Sequence, residues 1–144
     1  MVNVNLMDRA AANIRILITE MVEKAKSGHP GGALGASARF AAQFLPFADR
    51  GSCTVTTLIN LGGCLLIGIV WAILDACGAP KWLSLFAITG VLGGFTTFST
   101  FSLETMKLLS AGRVAEAAGY VILSVAGGII CCAAGLWITN KLMQ

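Results

Sequence analysis

The sequence predicts an all-α integral membrane protein, a four-helix subunit whose third helix is broken. Three observations predict it. Of 144 residues, 56% are hydrophobic and 12% charged, where a soluble domain carries about 25% charged residues. The apolar residues are clumped: from Gly51 to Pro80 Asp75 is the sole acidic or basic side chain, and from Ala117 to Asn140 there is none. Finally, a run of glycines and hydroxyls from Gly93 to Ser102 interrupts the third apolar stretch, where it weakens a helix and needs a reason.

In chain order, residues 8–26 place Ile14, Leu17, Ile18, Met21, Val22 and Ala25 at helical spacing with charges opposite, an amphipathic helix facing water. Ser27 to Gly32 stop it, because glycine frees the backbone and Pro30 disfavours a helical His29. Residues 1–30 thus read as an N-terminal segment and 31–144 as the membrane domain. Its first span, 33–47, rises only about 22 Å against a hydrocarbon core of about 30 Å. The second, 54–77, is long enough and ends at Gly78-Ala79-Pro80. The third covers 82–103 with Trp82 as an interfacial anchor, Lys107 to Glu116 form a polar loop, and the fourth covers 117–140 with Trp137 near its end.

Small residues punctuate these spans: Gly31 and Gly35 in a G-x-x-x-G, Gly62, Gly63 and Gly68 in the second, and Gly127, Gly128 and Gly135 in the fourth. They let helices approach closely where lipid removes the hydrophobic drive to associate. Four short spans enclose a pathway poorly, so an oligomer is expected. The net charge of +3 shows no basic cluster interleaved with aromatics, which argues against nucleic acid as a partner. The five cysteines form no C-x-x-C and read as small apolar packing residues. Nothing in Met1 to Lys26 has the pattern of a cleaved signal.

The chemistry concentrates in the third span. Paired glycines before Thr96-Thr97 permit a helix break, and unwound backbone offers carbonyls to a cation. Phe98 and Phe101, three apart, share a helix face. Their positive ring edges offer a small anion a water-poor lining, and hydroxyls with an amide replace its hydration. Asn60, isolated among aliphatics, is a candidate for that amide. Spacing alone leaves an alternative open: the rings pack, the hydroxyls bond back to their own helix, and Asn60 is interhelical glue.

GGFTTFSTFS (93–102) resembles the signature of the CrcB/Fluc fluoride channels, and the resemblance runs from about Gly31 to the C-terminus. GGALGASARF (31–40), INLGGCLLIG (59–68) and YVILSVAGG (120–128) resemble that family's first, second and fourth helices. The resemblance implies a multi-pass protein of the bacterial inner membrane, not an enzyme, that lets cytoplasmic fluoride leave passively. It implies an antiparallel, dual-topology homodimer with two pores and a central structural sodium ion. By motif position, Phe98 and Phe101 line the pore, Asn60 is its amide, and Thr56, Glu104, Tyr120 and Ser124 form a polar track. Gly93 and Thr96 offer carbonyls to sodium, and Arg39 stands near a vestibule or, equally, snorkels to the interface. Glu104 has an interfacial position as its alternative. Val55 replaces a common glycine, and Gly128 stands where a second hydroxyl would continue the track.

Residues 6–32 resemble the start of transketolases, whose S-G-H-P-G histidine contacts thiamine diphosphate. His29 is the one histidine, and no G-D-G metal motif follows, so catalysis is not expected. Two other functions compete: a small four-helix antiporter, which needs a carboxylate that Ala33 to Phe47 lack, and a channel impaired by its altered first helix. With four crossings, Arg9, Arg15, Lys24, Lys26, Lys81 and Lys141 fall on one side against Arg50, Lys107 and Arg113 on the other, which favours one orientation.

Overall fold

The computed structural model describes residues 30–42 and 52–144. The expected amphipathic helix, His29, Arg50 and the end of the first span lie outside the described residues. Helix α1 (Pro30–Ala42) opens on proline, whose fixed φ suits the first helical turn and whose missing N–H costs nothing there. It begins three residues before the expected span.

Helix α2 (Ser52–Ala76) starts and stops close to the sequence expectation of 54–77. Its end is a Schellman closure. Gly78 takes φ +60°, its N–H reaches Asp75 O at 3.1 Å, and Ala79 N–H reaches Leu74 O at 2.9 Å. Pro80 then forbids continuation.

The third span is the most irregular: α3 (Lys81–Ser84), a π-helix (Leu85–Leu92), α4 (Gly93–Phe95), a break at Thr96 and Thr97, and α5 (Phe98–Ser110). The break falls within the glycine-hydroxyl run, as expected. The π-helix carries no signal in the sequence; it lies where α1 presses backbone to backbone on the third span. A Cβ on Gly31 would stand 2.7 Å from Phe86 O, and one on Gly35 would strike Val91 O. From the other side, a Cβ on Gly94 would stand 2.7 Å from Gly32 O.

The expected loop at 107–116 is corrected to a three-residue turn. Helix α5 runs on to Ser110 because Leu108 extends the buried face of Phe101 and Glu104. A second Schellman closure ends it, with Gly112 at φ +73° and Arg113 N–H on Leu108 O at 2.9 Å. Helix α6 (Val114–Leu142) then begins earlier than expected. Arg113 pairs with Glu116 across its first turn, and this hydrogen bond raises the guanidinium pKa above its ordinary value.

Among the described residues three segments are long and apolar enough to cross a membrane: Cys53–Ala76, Lys81–Ser110 and Val114–Leu142. Many of their large side chains face outward, among them Trp71, Leu103, Ile122, Ile129 and Trp137. Phe101, Leu108, Ala117 and Tyr120 form a buried cluster. Lys141 Nζ sits 5.1 Å from the Trp137 ring, a cation–π contact at the end of α6.

Helix α2 lies along most of α6, and glycine makes this possible. A Cβ on Gly68 would strike Cys132 O, and one on Gly135 would strike Leu65 O. Neither obstacle is a flexible side chain. Gly68→Ala should therefore lower stability by about 1–3 kcal/mol, the usual cost of overpacking, read as a lower thermal midpoint in detergent. An unchanged midpoint would mean that this crossing is looser than described.

Candidate functional site

Thr96 (φ −75°, ψ 158°) and Thr97 (φ −145°, ψ 112°) leave helical geometry in the middle of a span. Backbone unwound at that depth must find partners within the protein. Asn60 of α2 supplies two: its Oδ1 accepts Thr97 N–H at 2.8 Å, and its Nδ2 donates to Thr97 O at 3.2 Å. Arg39 of α1, half-buried, donates from Nη1 to Thr96 O at 3.1 Å. Thr97 Oγ1 caps α5 by accepting Thr100 N–H at 3.3 Å. Because Thr97 N–H turns to Asn60, the Gly93 carbonyl loses the donor that a continuous helix would give it.

Beside the break lies a groove of about 380 Å³ between α2, α5 and α6. Asn60, Thr96, Phe98, Phe101 and Ser124 line it together. Phe98 is 77% exposed, whereas Phe101 is 8% exposed. Their ring centroids are 5.5 Å apart and tilted by 43°, and Phe101 meets Tyr120 at 5.1 Å. Ser124 Oγ is buried with no hydrogen-bond partner among the described residues.

Past Phe101 the polar groups close on a carboxylate. Glu104 is 4% exposed, packed within the helices. Tyr120 OH donates to its Oε2 at 2.6 Å, and Thr56 Oγ1 donates to its Oε1 at 3.1 Å. Three helices thus contribute to one buried cluster. Burying a carboxylate is costly unless hydrogen bonds compensate it, which is what the two hydroxyls do.

The reading of hydroxyls as back-bonded to their own helix holds at the break for Thr96, whose Oγ1 donates to Leu92 O at 3.2 Å, and further along the span. Ser102 Oγ donates to Phe98 O and Thr105 Oγ1 to Phe101 O, each at 2.9 Å. The structure brings together Asn60, Thr96, Phe98, Phe101 and Ser124 in the groove and Thr56, Glu104 and Tyr120 next to it. It also adds residues that sequence reasoning did not single out. Thr97 is the hub of the break, a role no spacing rule reveals, and Cys64 and Cys132 line the groove rather than only packing.

A polar break buried between apolar spans, opening on a groove with aromatic rings beside a buried carboxylate, defines a multi-pass membrane protein of the channel or transporter class. The chain belongs to the CrcB family: the family model described as CrcB-like protein, Camphor Resistance (CrcB), matches residues 29–136. A protein of Desulfotalea psychrophila named fluoride-specific ion channel FluC is 37% identical over 121 residues, covering 78% of this chain and 89% of the relative. One of Paracoccus denitrificans with the same name is 42% identical over 113 residues, covering 78% and 90%. A third, of Bordetella petrii, is 47% identical over 107 residues, covering 74% and 83%. With channels as its relatives, the chain is not an enzyme. The family match begins at residue 29, and the comparisons lend no support to the transketolase likeness of residues 6–32.

Proposed function

We propose that the protein is a fluoride-selective channel through which cytoplasmic fluoride leaves down its gradient, lowering its toxicity. One observation carries this reading: two phenylalanine rings, an amide and an unpartnered buried hydroxyl line one groove beside the Glu104 cluster. Fluoride is small and strongly hydrated, so it crosses only where hydrogen-bond donors replace its water. Ser124 offers a free hydroxyl, and the second N–H of Asn60 remains after the first is given to Thr97. Phe98 and Phe101 supply ring edges, and Thr56, Glu104 and Tyr120 continue the track toward the far mouth.

The working unit in this reading is an antiparallel homodimer. A single chain leaves the groove open on one side with Phe98 exposed, and a second copy would close it. The Gly93 and Thr96 carbonyls suit a structural sodium ion at the dimer centre. Gly93 lacks its helical donor, and Thr96 O keeps a second lone pair beside Arg39. Sodium there would supply charge that ties the two broken helices together. Arg39, fixed to the break, also brings positive charge that attracts anions.

Producing the protein in a bacterium that lacks its own fluoride exporter tests the reading. Tolerance of fluoride should rise, and crosslinking in the membrane should give a dimer. Unchanged tolerance with a correctly inserted dimer would contradict the function; a monomer at every concentration would contradict the assembly.

The six-to-three Lys/Arg bias supports a second reading, an impaired channel, because an antiparallel pair needs both orientations. Replacing the first 30 residues by an apolar helical start should then raise tolerance further and even out the accessibility of terminal tags. Equal tolerance and equal tag exposure would remove this second reading.

A further inference from the structure

The groove has a feature that fluoride passage does not require: two thiols on one wall. Cys64 of α2 and Cys132 of α6 both line it, among otherwise apolar neighbours such as Ile67 and Val125. Both are free and partly exposed. Their juxtaposition follows from the glycine crossing. On α2, Cys64 and Gly68 are one turn apart; on α6, Gly128 and Cys132 are one turn apart. A Cβ on Gly128 would stand 3.3 Å from Cys64 Sγ, and a Cβ on Gly68 would strike Cys132 O.

The two pairs are therefore adjacent rungs of one helix crossing, with Cys64 over Gly128 and Cys132 one turn further along the same face of α6. Side chains on a helix lean toward its N-terminus, so a Cys132 thiol that follows this lean would reach back toward the Gly128 level, where Cys64 Sγ lies. Glycine at 128 matters here, since the position that would hold a second hydroxyl of the track is instead roofed by a sulfur.

We propose that Cys64 and Cys132 form a two-thiol site for a soft, two-coordinate d10 cation such as Hg(II), and that its occupancy closes the groove. Soft thiolates select such cations over the hard ions of the cytoplasm. Each thiol releases its proton to water, two sulfur–metal bonds form, and nothing is oxidised or reduced. A metal bridging α2 and α6 at this level stands in the groove with Asn60 and Ser124, so an anion in the track meets it. The closure rests on the proposed reading of the groove as the fluoride pathway; the binding does not.

Two readouts on the full-length protein separate these. In the first, purified protein receives one equivalent of Hg(II) and is then dialysed against an excess of a monothiol, which strips singly held metal but not a chelate. Wild-type protein should keep one Hg(II) per chain. Cys64→Ala, Cys132→Ala and the volume-preserving Cys64→Ser should each hold it at least about a hundredfold more weakly, because the second thiol acts at high effective concentration. Cys131→Ala should retain it like the wild type. Retention by the Cys64→Ala/Cys132→Ala protein, or none by the wild type, overturns the site. In the second readout, Hg(II) should stop fluoride efflux from liposomes in the wild type and not in the double variant, each relative to its own untreated rate. Retention without block overturns the closure. Wild-type liposomes that release no fluoride even without Hg(II) would instead contradict the channel reading and leave the metal site standing on the first readout.

Discussion

Phe98→Ile should reduce fluoride flux to the background of protein-free vesicles while leaving the fold intact. Within one chain the ring is 77% exposed, so its loss removes little packing inside the subunit, and the dimer seen on size exclusion reports any loss of packing between copies. What it removes is the positive edge, which an aliphatic side chain of similar bulk cannot present to an anion. Phe101→Ile should stop flux as well, but it is the less clean experiment. Phe101 is buried against Tyr120 at 5.1 Å, and reshaping a packed position typically costs about 1 kcal/mol or more. Phe98→Ile therefore separates function from stability, and flux at the wild-type rate in both variants would return the rings to a packing role. Rates are read with a fluoride electrode outside loaded liposomes, and folding by size-exclusion profile and thermal midpoint.

Asn60→Leu should be damaging in two ways at once. Its side chain satisfies both backbone groups of Thr97 at the break, at 2.8 Å and 3.2 Å. Leucine leaves an N–H and a C=O unmet inside the membrane, each costing about 1–3 kcal/mol. Loss of the amide also removes a donor from the groove. The expected result is a thermal midpoint well below that of Phe98→Ile together with absent flux. Asn60→Asp provides the contrast: it keeps an acceptor for Thr97 N–H but loses the donor to Thr97 O and adds negative charge where an anion must pass. It should be more stable than Asn60→Leu and equally unable to carry fluoride. A fully stable, conducting Asn60→Leu would show that the break finds its partners elsewhere.

Much of this arrangement is legible in the residues, and the reasons differ from place to place. The end of α2 follows from Gly78-Ala79-Pro80 because a left-handed position and a missing donor act locally. Gly31, Gly35, Gly68 and Gly135 are legible as close-approach points because no other residue tolerates a backbone at that distance. The break is legible in its location but not in its wiring. That Asn60 serves Thr97, 37 positions away, depends on how α2 lies against the third span, and no local pattern encodes it. The same holds for Glu104, whose burial between Thr56 and Tyr120 requires three helices to be in place. Lys107 and Arg113 gave residues 107–116 the look of a loop, yet a helix can keep charges on one exposed side while Leu108 stays buried on the other. The π-helix has no compositional mark at all, since its residues Leu85 to Leu92 would serve an ordinary helix equally well. Cys64 and Cys132 read as filler because 68 residues separate them, and only the α2–α6 crossing makes them neighbours on one wall.

The central claim is that fluoride, and not halide in general, passes beside the broken helix. Its most direct test loads liposomes carrying the purified protein with equal fluoride and chloride, opens a potassium path with an ionophore to balance charge, and follows both anions with selective electrodes. Fluoride should leave rapidly with chloride retained until detergent is added, because the rings of Phe98 and Phe101 with the donors of Asn60 and Ser124 suit a small, strongly hydrogen-bonding ion. Chloride leaving as fast as fluoride, or both being retained by a protein that is folded and dimeric, would contradict it.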